Sequence, residues 1–301
     1  MELPYLVTED LEFLMRRWAE RVGFSCPSSD FFRTLQQELL GYLRTIFRPL
    51  ELIELADLSG KLQAAIAARA AGTIVVSIDQ IYNQTPYHLE CNRVADPSTC
   101  QIIGEAQRAG FPSLVEQIRA LPDSSAILLV DDGCYSGGTL LRITELMREN
   151  GYVVSQVIVG IIIGRPGNQL LAKHPWVELV GVREYPAVVD WVCERDFYVG
   201  VPLSGRTAGR RVDSQVIPCE PEVALPYCLP FGDPISGASI PTDCVIDFSR
   251  FVLDQSIKLW QAVGECSGRP VLCRDVPRLP KGCTRDAQYF TEYLRDTRPS
   301  L

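Results

Sequence analysis

The chain has 301 residues, 47% hydrophobic and 22% charged, with a formal charge of −8 and 11 cysteines. That balance excludes a disordered chain, and the acidic charge excludes a general binder of nucleic acid or anionic membrane. The cysteine number is odd, no CxxC pair occurs, and the acidic start MELPYLVTEDLEFL lacks the basic region of a signal peptide, so reduced thiols in a cytoplasmic protein are expected.

In chain order, Thr8 is expected to cap a first helix with Leu11, Leu14, Met15 and Trp18 on one face. Asp30 caps a second, with Phe31, Leu35, Leu39, Leu40 and Leu43 inward and Pro49 past its end. A third starts at Asp57 or Ser59 and stops at Gly72. Ile74 to Ile78 reads as a short buried strand, Asn83 to Cys100 as a long polar loop, and Gly104 to Leu121 as helical. Strands follow at Ala126 to Val130, Val153 to Ile163 and Val177 to Val182. Helices at Gly138 to Asn150 and Asn168 to Lys173 alternate with them. The apolar run Tyr152 to Gly164 is too short to cross a bilayer, so no membrane partner is expected.

This alternation predicts an α/β fold: a Rossmann-like, mostly parallel sheet with helices on both faces. The expected division is a helical N-terminal region over 1–72, the α/β core over 73–205, and a C-terminal appendage over 206–301. Six prolines between Pro218 and Pro241 exclude a regular helix or central strand there, and a helix resumes at Asp247 to Val263. The six cysteines of that appendage are irregularly spaced, and with only His88 and His174 as histidines a zinc site there would have to be cysteine-rich.

The chemistry concentrates in ILLVDDGCYSGGTLL, Ile127 to Leu141. A buried strand that runs through a glycine-rich turn into a helix N-terminus presents backbone N–H groups and a favourable dipole to an anion. Ser136 and Thr139 add hydroxyls, and Gly137 and Gly138 let the backbone approach a phosphate. Asp131 and Asp132 would repel that phosphate, but neighbouring strand residues point to opposite faces. They suit vicinal sugar hydroxyls or Mg²⁺, directly or through water. A ribose 5-phosphate satisfies both halves. Thr139 stands where a Walker A loop needs Lys, Cys134 where a nucleophile elbow needs Gly, and no GxGxxG opens a helix.

The same stretch resembles the phosphoribosyl pyrophosphate (PRPP) loop of type I phosphoribosyltransferases: four apolar residues, two acids, a short variable stretch, then Ser-Gly-x-Thr. The resemblance is specific over about thirteen residues. It implies that Asp131 and Asp132 are the catalytic acids that hold the ribose hydroxyls and bind Mg²⁺. It also implies that Tyr135, Ser136, Gly137, Gly138 and Thr139 wrap the 5′-phosphate. Two departures stand out. Tyr135 occupies a position where some members carry an acidic base. Ile74 to Ile78 is followed by Asp79-Gln80-Ile81-Tyr82-Asn83, with no glycine and no cation where the family has its pyrophosphate loop.

Further candidates follow from position. Arg93 is the only cation of the expected loop, at the place of the family's lid, with His88 its only base near neutrality. Arg165, in Gly164-Arg165-Pro166-Gly167 at a strand end, faces an acceptor's carbonyl or phosphate. Phe197 or Tyr198 would stack on a purine-like base, as the resemblance implies. Cys134 reads as a small packing residue. The expectation is a Mg²⁺-dependent transferase moving ribose 5-phosphate from PRPP to a nitrogenous acceptor with release of pyrophosphate, with a homodimer as a candidate assembly. The alternative is a non-catalytic sensor of PRPP or nucleotides.

Overall fold

The structure, a computed structural model, describes residues 2–83, 85–123, 126–165, 168–213, 215–286 and 288–298. Its elements in order are β1 (Tyr5–Thr8), α1 (Leu11–Val22), α2 (Ser29–Ile46), β2 (Leu50–Ile53), α3 (Leu55–Ala67), β3 (Ile74–Ser77), β4 (Tyr87–His88), β5 (Cys91–Ala95), β6 (Ile102–Gln107) and α4 (Leu114–Arg119). There follow β7 (Ala126–Cys134), α5 (Gly138–Glu149), β8 (Val153–Ile163), α6 (Gln169–Lys173), β9 (Glu178–Tyr185) and β10 (Asp190–Cys193). The last are β11 (Arg206–Val212), β12 (Gln215–Pro218), β13 (Val223–Leu225), α7 (Pro234–Ala238), α8 (Val245–Ser267), β14 (Leu279–Pro280) and α9 (Phe290–Thr297).

The chain divides into two compact units: Met1–Leu52, Val94–Gly104 and Val189–Leu301 form the first, Ile53–Arg93 and Glu105–Val188 the second. These limits differ from the boundaries expected at residues 72 and 205. The helix at Leu55–Ala67 belongs with the parallel sheet because it packs on β8 and β9. The C-terminal third shares a core with the first fifty residues rather than forming an appendage.

The second unit is a five-stranded sheet in the order β4-β3-β7-β8-β9, and every pairing in it is parallel. Such strands are covered on both faces and therefore read as continuous apolar runs. Ile127 and Leu129 of β7 and Val157 and Val159 of β8 pack with Leu140, Ile143 and Met147 of α5 and with Leu114 and Ile118 of α4. The alternate residues Leu128, Val130 and Ile158 are just as buried. On that face α3 brings Leu58 against Gly160 of β8.

In the first unit, helices α1, α2, α8 and α9 enclose an aromatic centre. Trp18 meets Trp260 edge-on at 5.2 Å, and Trp260 meets Phe290 at 5.6 Å. Tyr5 stacks on Phe47 at 3.9 Å and donates its hydroxyl to the Ala238 carbonyl. A small sheet, β10-β1-β2, carries the parallel pair Tyr5↔Asp190 to Thr8↔Cys193. In a second sheet β11 pairs antiparallel with β12 and β13, and parallel with β5 at Thr207↔Val94.

Several local expectations change. Thr8 ends β1 and donates to the Val192 carbonyl at 3.3 Å instead of capping a helix. Ser28, not Asp30, caps α2. The expected loop from Asn83 contains β4 and β5, and the expected helix from Gly104 is β6 followed by α4, which starts at the Ser113–Glu116 capping box. All eleven cysteines are free thiols. No helix among the described residues is long and apolar enough to cross a membrane.

Candidate functional site

The second unit places Asp131 and Asp132 at the carboxyl end of its sheet, where ligands of parallel α/β sheets bind. Strand β7 pairs with β3 as far as Ser77↔Val130, but with β8 as far as Cys134↔Ile162. The two acids therefore lie just past the last β3 rung, while β8 still supports them. Opposite Asp132 stands Gly160, where a Cβ would come 2.5 Å from the Asp132 carbonyl oxygen. A glycine is needed there for the backbones to approach.

A third carboxylate joins them. Asp79 follows β3, is 5% exposed and accepts the backbone N–H groups of Ile81 (2.9 Å), Tyr82 (2.7 Å) and Asn83 (2.8 Å). Burial, and then the charge of Asp132, push its carboxyl up to about 7 despite those three amides. Burial, then Asp132 and Asp79, also hold Asp131 well above the usual carboxylate range, opposed by the Asp132 N–H and by Arg93. The site thus concentrates negative charge that a ligand's hydroxyls or a cation would relieve.

The turn is short. Tyr135 and Ser136 are exposed, Gly137 takes φ +78°, and α5 begins at Gly138. The turn is braced from α6. Asn168, 2% exposed, accepts the N–H groups of Leu170 and Leu171, and donates to Cys134 Sγ at 2.7 Å. Gln169 donates its N–H to the Ser136 carbonyl at 2.8 Å. A Cβ at Gly137 would meet Asn168 Oδ1 at 2.5 Å. Burial raises the Cys134 thiol to about 11, against the Asn168 hydrogen bond, which fits a packing residue. Thr139 donates its hydroxyl to Glu105 Oε1 at 3.0 Å, so a phosphate would be held chiefly by the backbone N–H groups at the start of α5 and by Ser136.

The other sequence candidates separate. Arg93 reaches the site: it is exposed on strand β5, not in a lid loop, and its charge acts on Asp131. Arg165 is held by Glu184, with Nε–Oε2 at 3.1 Å, and donates to the Leu179 carbonyl at 3.0 Å. That makes it a brace for β9 rather than a cation offered to an acceptor. Pro166 and Gly167 lie outside the described residues. Phe197 and Tyr198 are 1% and 0% exposed in the core of the first unit, with Phe197 edge-on to Phe248 at 5.5 Å, so neither offers a ring face to a base. Asp79, Asn168 and Glu105 were not singled out from sequence. The one available signal was the Asp79-Gln80 departure at the end of the first core strand.

Among the described residues no group of three or more His, Cys, Asp and Glu side chains is arranged to hold a metal by itself. The oxygens of Asp131 and Asp132 still suit Mg²⁺, which is commonly bound by one or two carboxylates with water and a ligand's phosphates completing the shell.

No family model matches the chain, and no curated protein matches it significantly. Among solved structures, orotate phosphoribosyltransferase from Aeropyrum pernix is similar over 43% of this chain and 70% of that one, with 19% sequence identity and a TM-score of 0.28.

Proposed function

We propose that the second unit binds a ribose 5-phosphate group, and that the protein is a phosphoribosyltransferase acting on PRPP and a nitrogenous acceptor. One observation carries the reading. Two carboxylates and a helix N-terminus share one strand–turn–helix at the carboxyl edge of a parallel sheet, separated by the five residues Gly133 to Gly137. Acids suited to a diol and amides suited to a phosphate then stand a few residues apart, as a ribose 5-phosphate requires.

In this reading Asp131 and Asp132 accept the ribose hydroxyls and fix the sugar for displacement at C1. The backbone N–H groups of Gly138 and Thr139, with Ser136, hold the 5′-phosphate. Arg93, whose charge acts on Asp131, would be the cation offered to the leaving pyrophosphate. Mg²⁺, bound through Asp131 and Asp132, would supply charge neutralisation for the pyrophosphate. The chain's own contribution is orientation and preorganised hydrogen bonding.

Titration calorimetry of ribose 5-phosphate and PRPP, with Mg²⁺, tests the binding. The double substitution Asp131→Asn, Asp132→Asn should weaken ribose 5-phosphate by about ten- to hundredfold, the value of one or two charge-assisted hydrogen bonds. Unchanged affinity in a folded variant would refute the reading. Release of pyrophosphate on adding candidate acceptors tests transfer. The second reading, a non-catalytic sensor, is favoured by Asp79. Its carboxylate engages the amides after β3, the segment where the resemblance places the family's pyrophosphate loop.

A further inference from the structure

Two thiols of the first unit face each other: Cys273 and Cys283 are hydrogen-bonded sulfur to sulfur. The backbone makes them meet. After Cys273 the chain runs out through Arg278 and β14, then turns back at Gly282, which takes φ +88°. The Cys283 N–H closes that turn on the Pro280 carbonyl at 3.1 Å. The returning chain lies against its own start. Cys273 donates its N–H to the Gln288 carbonyl at 2.9 Å, and Arg274 to the Asp286 carbonyl at 3.2 Å. Cys273 is 0% exposed and Cys283 half-buried, both against the core that holds Trp260 and Phe290. The segment between them fastens the C-terminal region to the small sheet. Arg278 Nη2 donates to the Thr207 hydroxyl at 3.0 Å and to the Arg206 carbonyl at 3.2 Å. Leu279 pairs with Val223, and the Lys281 N–H reaches the Ala224 carbonyl at 3.2 Å.

We propose that Cys273 and Cys283 are a reversible redox pair: a small peroxide closes them to a disulfide, which clamps the segment between them onto β11 and β13. The proposal does not depend on the ribose 5-phosphate reading. Cys283, the thiol that meets solvent, reacts first. It gives up its proton and its sulfur attacks one peroxide oxygen. The O–O bond breaks, and the departing hydroxide takes the proton as water. The Cys273 sulfur then attacks the sulfenic sulfur of Cys283. The S–S bond forms, the S–O bond breaks, and the leaving hydroxide takes the Cys273 proton as a second water. Two thiols lose two electrons, and the peroxide is reduced to two waters. The oxidant must be small, because Cys273 is closed to solvent. Burial holds both thiols above their usual range, so thiolate is scarce near neutral pH. Traces of oxidant therefore leave the pair open, and sustained oxidant closes it. The closed bridge restricts the unfolded chain and keeps β14 on β13.

The test treats the full chain with hydrogen peroxide, alkylates it in denaturant and maps its peptides by mass spectrometry without reduction. The melting temperature is followed on the same samples. The proposal expects a peptide pair joined through Cys273 and Cys283 as the main product. It expects the melting temperature to rise by about 3 °C or more, and dithiothreitol to reverse both changes. Cys283→Ser should lose the bridge and the rise together. Oxidation of the exposed Cys266 while Cys273 and Cys283 stay open to alkylation would overturn the proposal. So would sulfinic acid at Cys283 with Cys273 still free, since the two sulfurs would then not resolve each other. A bridge that leaves the melting temperature unchanged would overturn the clamp. If Cys283→Ser does not fold, the wild-type map and its reversal by dithiothreitol decide.

Discussion

An alanine at position 137 would place its Cβ 2.5 Å from Asn168 Oδ1, on a backbone at φ +78°. The left-handed conformation alone costs a non-glycine residue about 1–2 kcal/mol. The clash then displaces the side chain that braces the turn. Gly137→Ala should therefore destabilise the protein by about 1–3 kcal/mol. It should also weaken ribose 5-phosphate, while Gly151→Ala, at φ +90° with nothing within 4 Å, shows the backbone strain alone. Urea unfolding and calorimetry on the two variants separate strain from lost binding. At this scale the sequence was legible where meaning is local. Asp131, Asp132 and Gly137 lie in one short run whose chemistry can be read without knowing the fold. Asp79 could not be read that way, because its role depends on the chain turning back so that residues 81–83 point their amides at it. Phe197 and Tyr198 misled for the converse reason: an aromatic pair beside charges has the same letters whether it faces a ligand or the interior.

Helix α6 has only five residues, too few to be stable by its own hydrogen bonds, yet it carries the brace of the turn from Tyr135 to Gly137. Its N-terminus is held by Asn168, whose side chain caps Leu170 and Leu171 and also reaches Cys134. Asn168→Ala removes both functions and should cost about 1–2 kcal/mol. Asn168→Asp keeps the cap but loses the donation to Cys134. Hydrogen exchange should show faster amide exchange in both α6 and Gly138 to Leu141 for Asn168→Ala. Acceleration confined to α6 would mean the turn stands without its brace. The elements easiest to read were β7, β8 and α5, because burial on both faces leaves an uninterrupted apolar run and a glycine marks the helix start. The hard ones were β5 and β6. CNRVA carries an exposed arginine, and IIGEAQ is mostly half-exposed with only Ala106 buried. Neither displays the alternation or the apolar run that identifies a strand, and Gly104 to Leu121 has a composition that a helix also tolerates.

For the whole molecule, the division into units was the least legible feature. Contacts between residues 1–52 and the C-terminal third depend on which aromatic faces meet, and nothing in Trp18 or Trp260 states its partner. The same closure buries acids in the first unit. Asp10 is fully buried against Arg195, and burial raises it to about 6 even with that cation beside it. Glu194 is 2% exposed, accepts from Gln36 at 3.3 Å, and burial, then Asp10, push it up to about 8. Both folded-state values exceed the unfolded ones, so between about pH 4 and pH 8 the folded protein binds more protons than the unfolded chain. Stability should therefore fall as pH rises through that window, and level off once Glu194 is ionised. Glu194→Gln removes the largest part of this dependence, so the variant should gain about 1–3 kcal/mol over wild type at pH 9 and little at pH 5. Tryptophan fluorescence during urea unfolding is a suitable reporter, since Trp18, Trp191 and Trp260 all belong to the first unit. The reverse slope, with wild type most stable above pH 8, would mean that Glu194 is held as a carboxylate by donors stronger than its burial. The Gln36 amide would then be the first of these to test.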